Sequence, residues 1–163
     1  MKLSEGVEWG IHCASMLADL PEGAVLPTKV LAKYHGVSET YLAKHLQALK
    51  NAGIIGSVPG PKGGVYLLKK LEELTLLDIV DAIEGKEPLF RCTEIRQRSP
   101  IPCSQSEFDT LCPIHMAMLE ANKAWRDALQ AQTLASVIRP YKTTLTSEKK
   151  ALINAYMEKV IRR

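Results

Sequence analysis

Residues 38–70 read SETYLAKHLQALKNAGIIGSVPGPKGGVYLLKK, and the order of signals in them decides the fold. Ser38 is an N-cap residue at the head of a helical pattern. Leu42, Leu46 and Leu49 recur at steps of four and three, so they share one face of that helix. Gly53 supplies a C-terminal stop. Two strand-like runs follow, 54–58 and 65–68, joined by Pro59-Gly60-Pro61-Lys62-Gly63-Gly64. That loop tolerates unusual φ values and carries one cation. Upstream, Thr28 to His35 predicts a short helix with Val30, Leu31 and Tyr34 as its apolar face, ended by Gly36. Two short helices about a glycine-bearing turn, followed directly by a hairpin, predict a helix-turn-helix with a wing.

Outward from that stretch the chain is helical. A first helix is predicted from Ser4 to Leu20 with two apolar rows, one through Val7, Ile11 and Ala14, the other through Trp9, Cys13 and Met16. A polar row of Glu8, His12, Ser15 and Asp19 runs between them. A helix apolar on two sides is covered on two sides, and a partner subunit is a candidate for the second cover. Cys13 belongs to the apolar row and reads as a packed thiol. Thr75-Leu-Leu-Asp78 resembles a capping box and opens a helix ending at Gly85. Residues 88–111 show no sustained period. Cys112-Pro113 then opens a long helix to about Ile138, ended by Pro140, with Ile114, Met118, Ala121, Trp125, Ala128 and Gln132 as a seam. Such a seam predicts coiled-coil-like dimerisation.

The expected fold class is mainly α with a small β wing. A winged helix-turn-helix domain spans 1–85, a cysteine-bearing loop 86–112, a long dimerisation helix 113–139 and a C-terminal amphipathic helix 147–163.

The chain has 163 residues, and no run of 18 apolar residues is present to span a membrane. The N-terminus MKLSEGVEWGIHC carries Glu5 and Glu8 and makes a poor signal peptide, so a cytoplasmic location is expected. Thiols stay reduced there, and clustered cysteines more often bind metal or react than form structural disulfides. The net charge of +3 is unevenly spread: residues 25–70 hold seven lysines and one acid, while 71–90 hold six acids and one lysine. The basic block suits an anionic partner or a solvated face. No Cys-x-x-Cys pair, Gly-rich nucleotide loop or Ser/His/Asp constellation points to an enzyme.

In a winged helix-turn-helix, the second helix enters the major groove of double-stranded DNA by its N-terminal end. Here that end is Ser38-Glu39-Thr40-Tyr41, and Thr40, Lys44 and Gln47 lie opposite the leucine stripe, able to reach base edges or phosphates. Lys62 at the wing tip suits the flanking minor groove. Tyr41 also borders the core stripe, which leaves a packing role open. Winged helices serve as protein-interaction modules too, but the lysine-rich block favours DNA.

Three of the four cysteines, Cys92, Cys103 and Cys112, fall within 21 residues, and His115 follows the last by three. Thiolates suit zinc, copper(I) or iron–sulfur clusters. The Cys-x10-Cys-x8-Cys spacing lacks the tight knuckles of structural zinc sites. It suits a centre partly held by ligands from elsewhere. Glu8 and His12 stand four residues apart on the first helix, on one side of it. They are either a surface pair or metal ligands.

The 38–70 stretch, followed by TLLDIVDAIEG (75–85) and spaced cysteines, resembles the IscR/NsrR/RsrR family of bacterial regulators over about residues 1–139. The resemblance implies a homodimeric winged-helix repressor or activator, in many members carrying an iron–sulfur cluster. VEWGIHC (7–13), FRCTEIRQRSP (90–100) and CPI (112–114) carry the likeness furthest, to the RsrR-type redox sensors. That likeness implies a 2Fe-2S cluster held by Cys103 and Cys112 of one subunit and Glu8 and His12 of the other. Cys92 would be a nearby non-ligand, and Trp9 a redox-responsive neighbour. The IscR-type ligand set makes Cys92 and His115 the rivals of Glu8 and His12. The implied function is operator binding controlled by the redox state or presence of the cluster. A cluster-free thiol/disulfide sensor of the same fold is the alternative, and a thiol oxidoreductase a more distant one.

Overall fold

α1 (Glu5–Leu17), α2 (Thr28–His35) and α3 (Glu39–Asn51) precede the strands β1 (Ile55–Val58) and β2 (Gly64–Leu67), which are followed by α4 (Leu76–Glu84). The computed structural model describes residues 2–101 and 104–163. Gly36 ends α2 with φ 67°, a left-handed conformation that glycine adopts at little cost. Ser38 then caps α3, its hydroxyl accepting from the Tyr41 N–H at 3.5 Å. The leucine stripe of α3 is buried with Leu31, Cys13, Leu26, Ile54 and Ile79 in one core. α1 lies close on α3, since a Cβ on Gly6 would sit 2.3 Å from the His45 ring. The wing is antiparallel, with Ile55 opposite Leu67 and Val58 opposite Gly64. Thr75 and Asp78 form a complete capping box at α4, with N–H bonds of 3.1 and 3.0 Å.

Three boundaries depart from expectation. α1 stops at Leu17, where Asp19 and Leu20 tighten into three-residue turns ahead of Pro21. The residue before a proline is pushed out of the helical region. The wing strands also shift by one residue relative to the apolar runs.

The predicted single helix over 113–139 is two: α5 (Pro113–Gln130) and α6 (Leu134–Thr144). Residues 131–133 break the run because the chain turns back onto the core. The Leu76 N–H donates to the Gln132 carbonyl (2.9 Å) and the Leu134 N–H to the Leu74 carbonyl (2.7 Å). Thr133 caps α6 by accepting from the Ser136 N–H, and Leu134, Ala135 and Ile138 are buried. Pro140 lies inside α6 and does not end it. It leaves the Ser136 carbonyl without a helical donor, on a turn exposed to water.

α5 itself buries no residue. One side, through Arg126, meets α4: the guanidinium donates twice to Asp81, at 2.8 and 2.7 Å. The predicted seam faces away, with Ile114 68% and Met118 39% exposed. Gln132 falls beyond the helix end.

α7 (Ser147–Val160) packs against the N-terminal core. Met157 is 8% exposed, and the Tyr156 ring lies 5.4 Å from that of Tyr34. α6 and α7 thus share the core of residues 1–85 at Leu134, Ile138 and Met157.

Candidate functional site

The reading surface starts from the amphipathicity of α3. With Leu42, Leu46 and Leu49 buried, Thr40, Tyr41, Lys44 and Gln47 are turned outward. Tyr41 is 63% exposed, so its ring is a surface group and not core packing. The Ser38 hydroxyl is engaged as the cap, and the Gln47 amide donates to Asn51 Oδ1 at 2.8 Å. Lys62 is exposed in the wing loop. Among the described residues neither Lys44 nor Lys62 enters an ion pair. Two acids of α4 do, Asp78 with Lys69 at 3.5 Å and Asp81 with Arg126. These acids are thus neutralised within the fold, and the outward lysines of α3 and the wing are left available to an external anion.

On α1, Glu8 and His12 open onto a cavity of about 180 Å³ that Trp9, His35 and Val37 complete. Both are exposed in the protomer, as is Asp19, so the polar row faces outward and is not wedged under cover. The His12 and His35 rings lie 5.7 Å apart. His35 Nε2 is shielded and has no hydrogen-bond partner. Burial, reinforced by neighbouring His12, holds the His35 imidazole below its ordinary pKa. Trp9 meets the His45 ring of α3 edge-on at 5.7 Å, so the cavity wall touches the reading helix. Cys13 is fully buried, and desolvation pushes its thiol up to about 12.

The cysteine loop forms the second part. Cys92 and Cys112 are half-buried free thiols, whereas Cys103 lies outside the described residues. Glu94 takes φ 47°, the one positive φ on a described non-glycine residue. Its N–H donates to Cys92 Sγ at 3.4 Å. Its carboxylate accepts from Arg96 Nε and Nη2, at 2.5 and 2.8 Å, which holds Glu94 below its usual range. Arg96 also lies over Phe108, 5.3 Å from the ring centre, and donates to the Glu107 carbonyl. Glu94 first, then Cys112 and Cys92 by charge, raise the Arg96 pKa. The His115 ring lies tilted beside Phe90, 6.1 Å between centres, with a shielded Nδ1 that has no hydrogen-bond partner.

Among the described residues no three His, Cys, Asp or Glu side chains gather in metal-binding geometry. Glu8, His12 and Cys112 do not converge within one chain, and neither do Cys92, Cys112 and His115. Both parts nonetheless carry side chains of metal-ligating type. One part offers a carboxylate and an imidazole at an open cavity beside an unsatisfied nitrogen, and the other offers thiols beside a cation. Sequence reasoning missed His35, His45 and Arg96. His35 is merely the last residue of a short helix, and its proximity to His12 arises only when α2 packs near α1.

The Rrf2 family profile, described as an iron-dependent transcriptional regulator, matches residues 3–140. Bacillus subtilis (strain 168) YwgB, described as an HTH-type transcriptional regulator, is 30% identical over 138 residues, covering 85% of each chain. Lactococcus lactis YffB, described likewise, is 33% identical over 84% of this chain and 86% of its own. The crystal structure of Staphylococcus aureus CymR in its oxidized form superposes with a TM-score of 0.59 at 27% identity, covering 84% of this chain and 95% of CymR. Among the described residues no helix is long and apolar enough to cross a membrane. With the winged helix-turn-helix and its free basic surface, these matches establish that the chain belongs to the Rrf2 family of DNA-binding transcriptional regulators.

Proposed function

We propose that this regulator is a cytoplasmic homodimer whose operator affinity follows a 2Fe-2S cluster shared between subunits, as in RsrR-type sensors. The observation that carries this reading is the division of donors: Glu8 and His12 face outward on α1, apart from Cys112 of the same chain. Each half then needs the other from a partner. Cys103 and Cys112 of one subunit would meet Glu8 and His12 of the other, and the cluster would supply a one-electron redox change there. Mixed nitrogen, oxygen and sulfur ligation alters the potential relative to all-cysteine ligation.

The chain's own residues carry the rest. Trp9 shares the cavity wall with Glu8 and His12 and abuts His45. A shift of α1 therefore presses on α3 at His45, one turn after Tyr41 and next to Lys44. Ser38, Thr40, Tyr41 and Lys44 address the major groove, and Lys62 the minor groove. The test is anaerobic purification with absorption, iron and sulfide measurements on wild type and on His12→Ala. Loss of the visible chromophore with the fold intact supports the ligand set. An unchanged spectrum rejects it and favours Cys92 and His115.

A second reading, a cluster-free thiol switch, draws on the Arg96 guanidinium flanked by Cys92 and Cys112. Protein isolated anaerobically without iron, yet changing DNA affinity on oxidation, would establish it.

A further inference from the structure

We infer that Arg162 is a positioning residue for the wing: the C-terminal tail clamps the 59–64 loop and thereby sets how Lys62 is presented to DNA. The tail lies outside the family match, which ends at residue 140. It is nevertheless built into the wing's hydrogen-bonded fabric. Val25 and Arg162 exchange backbone bonds, Val25 N–H to the Arg162 carbonyl at 2.9 Å and Arg162 N–H to the Val25 carbonyl at 3.0 Å. The next residue, Leu26, exchanges bonds with Val65 of β2 at 3.0 and 2.8 Å. The tail thus pairs with the segment that itself borders β2.

The side chain extends the connection to the loop. Arg162 Nη1 donates to the Pro61 carbonyl at 2.5 Å and is 3.4 Å from the Gly63 carbonyl. These two residues flank Lys62. The loop's own turn bond runs from the Gly63 N–H to the Gly60 carbonyl at 2.9 Å. A six-residue segment with three glycines has many conformations to lose on ordering. One cationic donor shared by two carbonyls removes much of that freedom before DNA arrives. The clamp is itself anchored, because Met157 is buried and Tyr156 meets Tyr34 one to two turns earlier on α7. Arg162 forms no ion pair among the described residues, and its Nη1 is directed at the two wing carbonyls.

This inference rests on Lys62 as a DNA contact, and the experiment separates the two. The probe is the duplex that wild-type protein selects from a random-sequence library, bound in a fluorescence anisotropy titration to Arg162→Ala, Arg162→Lys, Lys62→Ala and the Arg162/Lys62 double alanine variant. Amide hydrogen exchange is followed at Lys62 and Gly63, with Leu46 and Leu49 as core controls. Arg162→Ala should speed wing exchange about tenfold, leave the core unchanged and weaken binding about tenfold, the scale of one charge-assisted hydrogen bond. It should add less than about twofold on top of Lys62→Ala, since it acts through that residue. Arg162→Lys, which loses the planar fork, should fall between. Unchanged wing exchange in Arg162→Ala, or a loss that adds fully to that of Lys62→Ala, overturns the clamp. Wild-type binding by Lys62→Ala overturns the wing contact instead, and the exchange data then decide the clamp alone.

Discussion

Cys13 and His12 are neighbours in sequence and opposites in environment. The Cys13 thiol is packed into the core, with its pKa pushed to about 12, while the His12 imidazole opens to a cavity. Alkylation of the folded protein at pH 8 should therefore modify Cys92 and Cys112 and spare Cys13 until the chain is unfolded, as peptide mapping would show. Modification of Cys13 at the same rate would contradict its burial. The same shift has a pH consequence. The folded thiol keeps its proton above pH 9.0, where the unfolded one releases it. Cys13 therefore contributes stability that is present below pH 9 and is lost as pH rises toward 12, at up to about 1.4 kcal/mol per pH unit. Chemical denaturation at pH 8 and pH 10 measures it against Cys13→Ala, whose stability should fall less over that interval.

At the scale of elements, caps and crossovers decide where helices begin and end. Thr75 is buried, closes the capping box of α4 and pairs with Thr133 across the α5–α6 break. Thr75→Ala should cost about 1–2 kcal/mol in denaturant unfolding; a loss within error of zero would show that the box contributes nothing. The capping box, the α2 and α3 boundaries and the wing were legible because their signals are local: Gly36, Ser38, the leucine stripe and the Gly-Pro loop each act within a few residues. The break at 131–133 was not. Its cause is pairing of Thr133 with Thr75 and burial of Leu134 and Ile138, contacts made across more than fifty residues. Pro140 misled for a related reason, because an exposed helix turn tolerates a missing donor that water can replace. The candidate site divides in the same way. The i, i+4 spacing of Glu8 and His12 marked them, but His35, His45 and Arg96 gain meaning only from elements that pack beside them.

For the whole molecule, the unburied stripe on α5 is the feature that a single protomer leaves unexplained. Ile114 and Met118 face solvent on a helix whose other side is fastened to α4 by Arg126 and Asp81. Paired α5 helices would cover that stripe and bring each cysteine loop toward the other subunit's α1. On the proposed reading, in which each subunit supplies half of the donor set, Met118→Glu should shift the protein from dimer to monomer in sedimentation and remove the cluster chromophore with it. A dimer that survives the substitution would move the interface elsewhere.

The central claim, that donors are shared between subunits, is tested most directly by complementation. His12→Ala and Cys112→Ala chains carrying different tags are co-expressed, and the mixed dimer is purified and reconstituted anaerobically. If ligands come from opposite subunits, one of the two sites is intact, and the mixed dimer should show about half the wild-type absorption and iron while each variant alone shows neither. A mixed dimer as colourless as its parents would mean that the ligands come from one chain, and would contradict the account.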